Sequence, residues 1–183
     1  WGFGAWYQAK PRWLQGAWAL VWRSTNITAK ELLPIVLAAA IWGPQWRGQT
    51  VHFRCDNAAI VHTIASSRST ELLVMQLLRG LHLFAMEHGF RFTASHIAGT
   101  DNGPADALSR NQASLFHSQV PQAPADAEDI SDDLHQLFLA EAPPDWLSER
   151  WRQQLTFILR KPSLSQPGKP TTQASSDTSA SAK

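Results

Sequence analysis

A chain of 183 residues with 44% hydrophobic content has material for one ordinary domain and an appendage. Its formal charge of +1 excludes a strong global field that would advertise a polyanionic partner, although residues 1–110 carry +4 and the remainder −3. A single cysteine, Cys55, excludes an internal disulfide and any Cys/His zinc spacing, which points to a reducing compartment, cytoplasmic or nuclear.

No apolar stretch reads as long enough to span a bilayer and none reads as a signal peptide, so no membrane partner is expected. Trp1 is not an initiator, and WGFGAWYQ already reads as strand or turn material. The chain is therefore taken as cut from something longer. GFGAWYQ and WLQGAW, joined around Lys10, Pro11 and Arg12, predict an antiparallel hairpin. ITAKELLPIVLAAAIWG predicts a helix opened by a capping box from Thr28 to Glu31, bent by Pro34 and ended by Gly43-Pro44.

TVHFRCDN predicts a strand in which Val51, Phe53 and Cys55 alternate with polar neighbours. AAIVHTIASS predicts a short helix. TELLVMQLLRGLHLFAMEHG predicts a longer, mostly buried one with a thin polar stripe at Gln76, Arg79 and Glu87, ended by Gly89. FRFTASHIAG predicts a strand with Phe90, Phe92 and Ala94 on one face, followed by a loop and a short helix near Ala105–Arg110. The order is β-β-α-β-α-α-β-α with a first strand upstream, which defines an α/β fold with one mixed sheet flanked by helices.

The division expected is a domain over 1–110, a linker over 111–128, short amphipathic helices over 129–161 and a disordered tail over 162–183.

Six acids lie in residues 1–110, and three of them sit in telling places. Glu31 is in the first turn of a helix, Asp56 closes a strand, and Asp106 opens the last short helix. Each has a local explanation: Glu31 completes the capping box, Asp56 caps the next helix, Asp106 favours a helix N-terminus. Together they have another. Ligands of open α/β sheets gather beyond the carboxyl ends of strands. Clustered carboxylates repel unless cations neutralise them, and hard oxygen donors favour Mg²⁺ or Mn²⁺. Two ions roughly 4 Å apart can clamp the attacking water and leaving oxygen of a phosphodiester.

ITAKELLPIVLAAAIWG, FRCDNAAIV and above all HIAGTDNGPADALSR resemble the ribonuclease H domain of retrotransposon polyproteins. The DIRS and Ngaro types come nearest and gypsy-type elements next. The resemblance covers roughly residues 1–110. It implies cleavage of the RNA strand of RNA–DNA hybrids by two Mg²⁺ ions (Mn²⁺ as a substitute) held by four acids in the order Asp, Glu, Asp, Asp. Glu31, Asp56 and Asp106 match the last three as catalytic and metal-holding residues. The first belongs just upstream of WGFGAW, so this fragment holds three of the four and is expected to be weak or inactive alone. Asp101 lies in the loop and makes a poor substitute.

His96, ten residues before Asp106, matches a mobile histidine near the leaving product, a role suited to its proton chemistry. Asn57 and Asn102 are candidate hybrid contacts, because amides can bond 2′-hydroxyls and base edges in the minor groove; both also sit where Asn serves turns. Seven of nine tryptophans fall within residues 1–46, suited to core packing and to base stacking alike. Arg47, Arg54 and Arg68 are candidates for a phosphate track.

The resemblance also implies a reverse transcriptase upstream and a tyrosine recombinase downstream in the parent polyprotein. Tyr7 is the only tyrosine, so no recombinase nucleophile lies here, although WLSERWRQQLTFILR reads as the start of such a domain. Two rival readings remain open: a degenerate, non-catalytic hybrid-binding or connector domain, and a structural α/β domain with no nucleic-acid role.

Overall fold

The computed structural model describes residues 2–139, and every element predicted within residues 1–110 forms in the expected order. Strands β1 (Gly2–Tyr7) and β2 (Arg12–Ala17) make the hairpin, with Gly2 opposite Ala17 and Tyr7 opposite Arg12. Helix α1 (Ile27–Trp42) follows a 3-10 turn. Strand β3 (Thr50–Cys55), helix α2 (Ala58–Ser66), helix α3 (Leu72–His88) and strand β4 (Arg91–His96) form the second half, with β3 parallel to β4. Helix α4 (Gly103–Ser109) closes the expected set.

The fold is mixed α/β, but among the described residues the strands form two separate pairs rather than one sheet. The physical reason is that β1 hydrogen-bonds only to β2, and β3 only to β4, with no strand between them. A shared core unites the two pairs. It contains Leu32, Leu33, Val36, Leu37 and Ala39 of α1, Leu77, Leu81 and Phe84 of α3, and Phe3 and Leu14 of the hairpin. Trp46, in the 3-10 turn after α1, is the aromatic bridge: its ring lies 5.6 Å from Tyr7 of β1, 6.2 Å from Trp42, 6.0 Å from Phe53 of β3 and 5.2 Å from Phe90.

The hairpin buries both faces, as strand alternation allows. Phe3 and Leu14 enter the main core, while Trp13 enters a second cluster with Ala107, Leu108, Phe116 and Val120. Gly4 is where α4 crosses β1: a Cβ there would collide with the Leu108 side chain and lie 3.2 Å from its carbonyl carbon. No residue larger than glycine fits that crossing.

Three expectations change. Residues 111–128 are not an unstructured linker. They carry α5 (Ala113–Gln119), whose buried Phe116 packs on Trp13, with the ring centroids 5.2 Å apart. The segment then straps the hairpin: the Glu128 N–H donates to Trp13 O at 2.8 Å, Trp13 Nε1 donates to Pro124 O at 2.8 Å, and the Arg12 guanidinium grips the Glu128 carboxylate. Phe116 on α5 and Val120 just past its end, both buried, are the anchors that a polar texture concealed.

Helix α6 (Asp132–Phe138) realises the start of the 129–161 segment, with Ser131 capping at Leu134 N; the expected second amphipathic helix and the 162–183 tail lie outside the described residues.

The cap of α1 is Asn26, not Thr28. Asn26 Oδ1 accepts the Thr28 N–H at 2.7 Å, so the helix starts one residue before Thr28 and no capping box forms. Pro34 stays within the helix, which runs on to Trp42. Finally, Ile27–Trp46 is a 20-residue helical stretch of mean hydropathy 1.3, long and apolar enough by length and composition to cross a membrane. Its packing explains that apolarity otherwise: Leu32 through Ala39 are all buried in the core, on every side of the helix.

Candidate functional site

Two elements, α1 and β3, bring three side chains together at the carboxyl end of β3. The shifted cap of α1 places Glu31 in the second turn, beyond reach of the orphan N–H groups that a first-turn acid serves. Asp56 is the first residue beyond β3 and is exposed. Cys55, the last residue of β3, points inward by strand alternation and is 7% exposed. Ligand atoms of Glu31, Cys55 and Asp56 all lie within 4.8 Å of one another. Two sequence-derived acids are thus brought together, and the cysteine beside them is a neighbour that the acid count overlooked. The inward alternation already noted for Cys55 was the signal that could have found it.

Asp56 does not cap α2. That task falls to Asn57, whose Oδ1 accepts the Ala59 N–H at 2.8 Å, while its backbone N–H donates to Cys55 Sγ at 3.4 Å. Asp56 is therefore free of a local backbone role among the described residues. Its Oδ2 lies 3.8 Å from the position a Cβ on Gly99 would take, so the turn leading to α4 passes directly over the carboxylate.

His96, level with Cys55 in the parallel register, bonds the Asp56 carbonyl through Nε2 at 3.2 Å. A carbonyl only accepts, so Nε2 is the donor, and in the neutral ring Nδ1 is then the unprotonated nitrogen, able to take a proton.

Asp106 does not join this group. It sits in the first turn of α4, and its Oδ1 accepts from Arg110 Nε at 2.8 Å, an i,i+4 pair in which both side chains are about half exposed. Asn102 stands at the N-cap of α4 without a side-chain capping bond. Asp101 ends an exposed 3-10 turn outside the cluster. Arg47 lies beside Gly89 and His88 at the opposite end of β3. Among the tryptophans, Trp13, Trp22, Trp42 and Trp46 are buried, which settles their role as core packing.

The electrostatics follow the burial. Desolvation raises the Glu31 pKa above its ordinary value; the Asn57 side chain opposes this and the Asp56 charge adds to it. Glu31 Oε2 is inaccessible and has no hydrogen-bond partner among the described residues. Between 4.5 and the raised value the folded chain binds more protons than the unfolded chain, so stability falls as pH rises through that window.

Glu31→Gln is accordingly expected to stabilise the metal-free chain at pH 7 by about 1 kcal/mol, the scale of an unpaired buried polar atom. The gain should vanish below pH 4.5, where the parent carboxyl is protonated in both states. Thermal melts of both chains at pH 4 and pH 7 check this, and Mg²⁺ should raise the melting point of the parent but not of the variant.

Burial is also the main reason that the Cys55 thiol is pushed up to about 11 from an ordinary 9.0, with the nearby Glu31 and Asp56 charges contributing. Two units mean about a hundredfold less thiolate at pH 8. Alkylation by iodoacetamide, followed by mass spectrometry, should be slower than for a free thiol by at least about that factor, and faster in Asp56→Asn.

The donor set suits a hard cation through its two carboxylates: both are oxygen donors, one oxygen lacks any partner, and their mutual repulsion is what a divalent ion relieves. The thiol, neutral at physiological pH, is a soft donor that adds nothing for Mg²⁺. Compared with protein families, curated proteins and solved structures, the chain matches none of them.

Proposed function

We propose that this chain is a ribonuclease H-type endonuclease domain of a retrotransposon reverse transcriptase, hydrolysing the RNA strand of RNA–DNA hybrids. In this reading the parent polyprotein carries a reverse transcriptase upstream and a tyrosine recombinase downstream, and works in the cytoplasm or nucleus. The observation that carries the proposal is the meeting of Glu31 and Asp56, from a helix and a strand end distant in sequence, with ligand atoms within 4.8 Å. An acid pair with one buried, unpartnered oxygen is costly unless it serves a cation.

Glu31 and Asp56 would hold Mg²⁺, with Mn²⁺ as a substitute, and the ion when bound supplies Lewis acidity at a phosphodiester oxygen. The second ion of the family's pair would draw on Asp106 and on an aspartate upstream. Asn57 orients Glu31 while capping α2. His96, held through Nε2, would take a proton at Nδ1 and hand it to the departing 3′ oxygen. Asn102, whose side chain caps nothing, is available to a 2′-hydroxyl. The separation of the strands into two pairs also fits this reading: an upstream strand lying between β1 and β3 would join them into the mixed sheet of the family.

A second reading, a non-catalytic hybrid-binding or connector domain, is favoured by one observation. Asp106 is paired with Arg110 and stands apart from the two clustered acids. Cleavage of an end-labelled RNA–DNA hybrid separates the two, using this chain and a longer one that includes the upstream reading frame. Mg²⁺-dependent cutting of the RNA strand by the longer chain supports the enzyme. Binding without cutting supports the connector.

A further inference from the structure

The acid site lies at one end of β3. Along the strand pair itself the structure presents a face with a different character. Alternation turns Val51, Phe53 and Cys55 of β3, with Phe92 and Ala94 of β4, toward the core. Thr50, His52 and Arg54 therefore share the other face with Arg91, Thr93 and Ser95. The parallel register sets Thr50 beside Arg91, His52 beside Thr93 and Arg54 beside Ser95. Five of the six are exposed, Ser95 partly so. None is acidic, and neither arginine has an ion-pair partner among the described residues.

The middle of this face is ordered by hydrogen bonds. His52 Nδ1 lies 2.7 Å from Thr93 Oγ1, and Nε2 lies 2.7 Å from Ser95 Oγ. A neutral imidazole donates from one nitrogen and accepts at the other. One hydroxyl therefore gives its proton to the ring. The other receives the ring N–H and keeps its own O–H for an acceptor outside the network. The arginines flank this arrangement diagonally, Arg91 level with Thr50 and Arg54 four residues further along, about 13 Å apart at the rise of a parallel strand.

We propose that this face binds the phosphate backbone of a nucleic-acid strand, with Arg91 and Arg54 as charge contacts at its ends and the His52–Thr93–Ser95 network donating hydroxyl bonds between them. The charge is the argument: two unpaired guanidiniums, shaped for phosphate oxygens, on a polar face without a carboxylate. Of the arginines that the sequence offered for a phosphate track, Arg54 alone stands here. Backbone contacts carry no base information, so binding is indifferent to sequence. The inference does not require cleavage, and it stands or falls separately from the nuclease reading.

The test uses the whole chain and a fluorescein-labelled RNA–DNA hybrid in EDTA, so that nothing is cut, with anisotropy read between 50 and 200 mM salt. The double variant Arg54→Gln/Arg91→Gln should bind more than about tenfold more weakly at the lowest salt. The slope of log affinity against log salt should fall by about 1.8, at about 0.9 per phosphate contact. Arg23→Gln/Arg79→Gln, which removes the same charge elsewhere on the surface, should leave both nearly unchanged. Thr93→Val/Ser95→Ala should weaken binding severalfold without altering the slope.

Parental affinity and slope in the Arg54/Arg91 variant, with an unchanged circular dichroism spectrum, would overturn the proposal. So would equal weakening in both arginine pairs. Capture of the chain by phosphatidylserine vesicles with no binding of the hybrid would assign the face to a membrane surface and overturn it too.

Discussion

Asp56→Asn is expected to lower Mg²⁺-dependent cleavage of an RNA–DNA hybrid, by the chain extended upstream, about a thousandfold or more. The melting temperature should stay at or slightly above that of the parent. A metal that stabilises developing charge on a phosphodiester contributes several kcal/mol to the barrier, and each 1.36 kcal/mol is a factor of about ten in rate. Asparagine keeps the size of the side chain but removes the charge that holds the ion.

The fold has little to lose from the change. Asp56 is exposed, Asn57 rather than Asp56 caps α2, and removing the Asp56 charge relieves one of the contributions that make Glu31 costly to ionise. Loss of cutting therefore cannot be blamed on unfolding. A variant that cuts as fast as its parent would refute the nuclease assignment. Gel electrophoresis of the end-labelled RNA strand gives the rate, and differential scanning calorimetry gives the control.

The site and the stability of the chain pull against each other, and this follows from how α1 is built. Had Thr28 capped the helix, Glu31 would have stood in the first turn, close to the exposed N–H groups that welcome a carboxylate. With Asn26 as the cap, Glu31 stands two positions deeper, in the second turn, where burial and Asp56 both disfavour its charge. A carboxylate placed against its own electrostatic preference is what the proposed metal site would require, because a cation offsets that cost.

That displacement also shows where sequence reasoning ran out. Asn26 and Thr28 are both good caps, and a shift of two residues decides which way Glu31 serves. The hairpin and α1 were legible because their signals are local: a Pro-containing turn between aromatic runs, and an apolar run long enough for four turns. The α5 strap was not, since the ring that Phe116 packs on, Trp13, lies about a hundred residues earlier in the chain. The sheet was legible only in part for a related reason, because alternation identifies a strand but not its neighbour.

Asp106 illustrates a third limit. Its place at the start of α4 was readable, but its side chain had two claimants, and an arginine four residues on is closer to hand than a cluster assembled from other elements. The pair Glu31–Asp56 was readable as residue types and as positions on elements. That Cys55 stands beside them was hinted at by its inward place on β3, and the coordinates supply the distances.

Trp46→Ala is expected to be the most destabilising single change in the core, costing about 3–5 kcal/mol. For a domain of this size that corresponds to a drop of about 10–20 °C in melting temperature. Trp46 is 1% exposed, and its ring contacts Tyr7, Trp42, Phe53 and Phe90. It therefore touches the antiparallel hairpin and the parallel pair at once, and its loss leaves a cavity where the two meet without strand-to-strand hydrogen bonds. Its indole Nε1 is buried without a partner, so Trp46→Phe gives up volume but also removes an unsatisfied donor, and should cost clearly less than Trp46→Ala. Met86→Ala, at a side chain 78% exposed on α3, should change stability by no more than about 0.5 kcal/mol. Urea denaturation of the three variants measures the ranking. If Trp46→Ala proves no worse than Met86→Ala, the two strand pairs do not rely on this ring, and the core described above is not what holds them together.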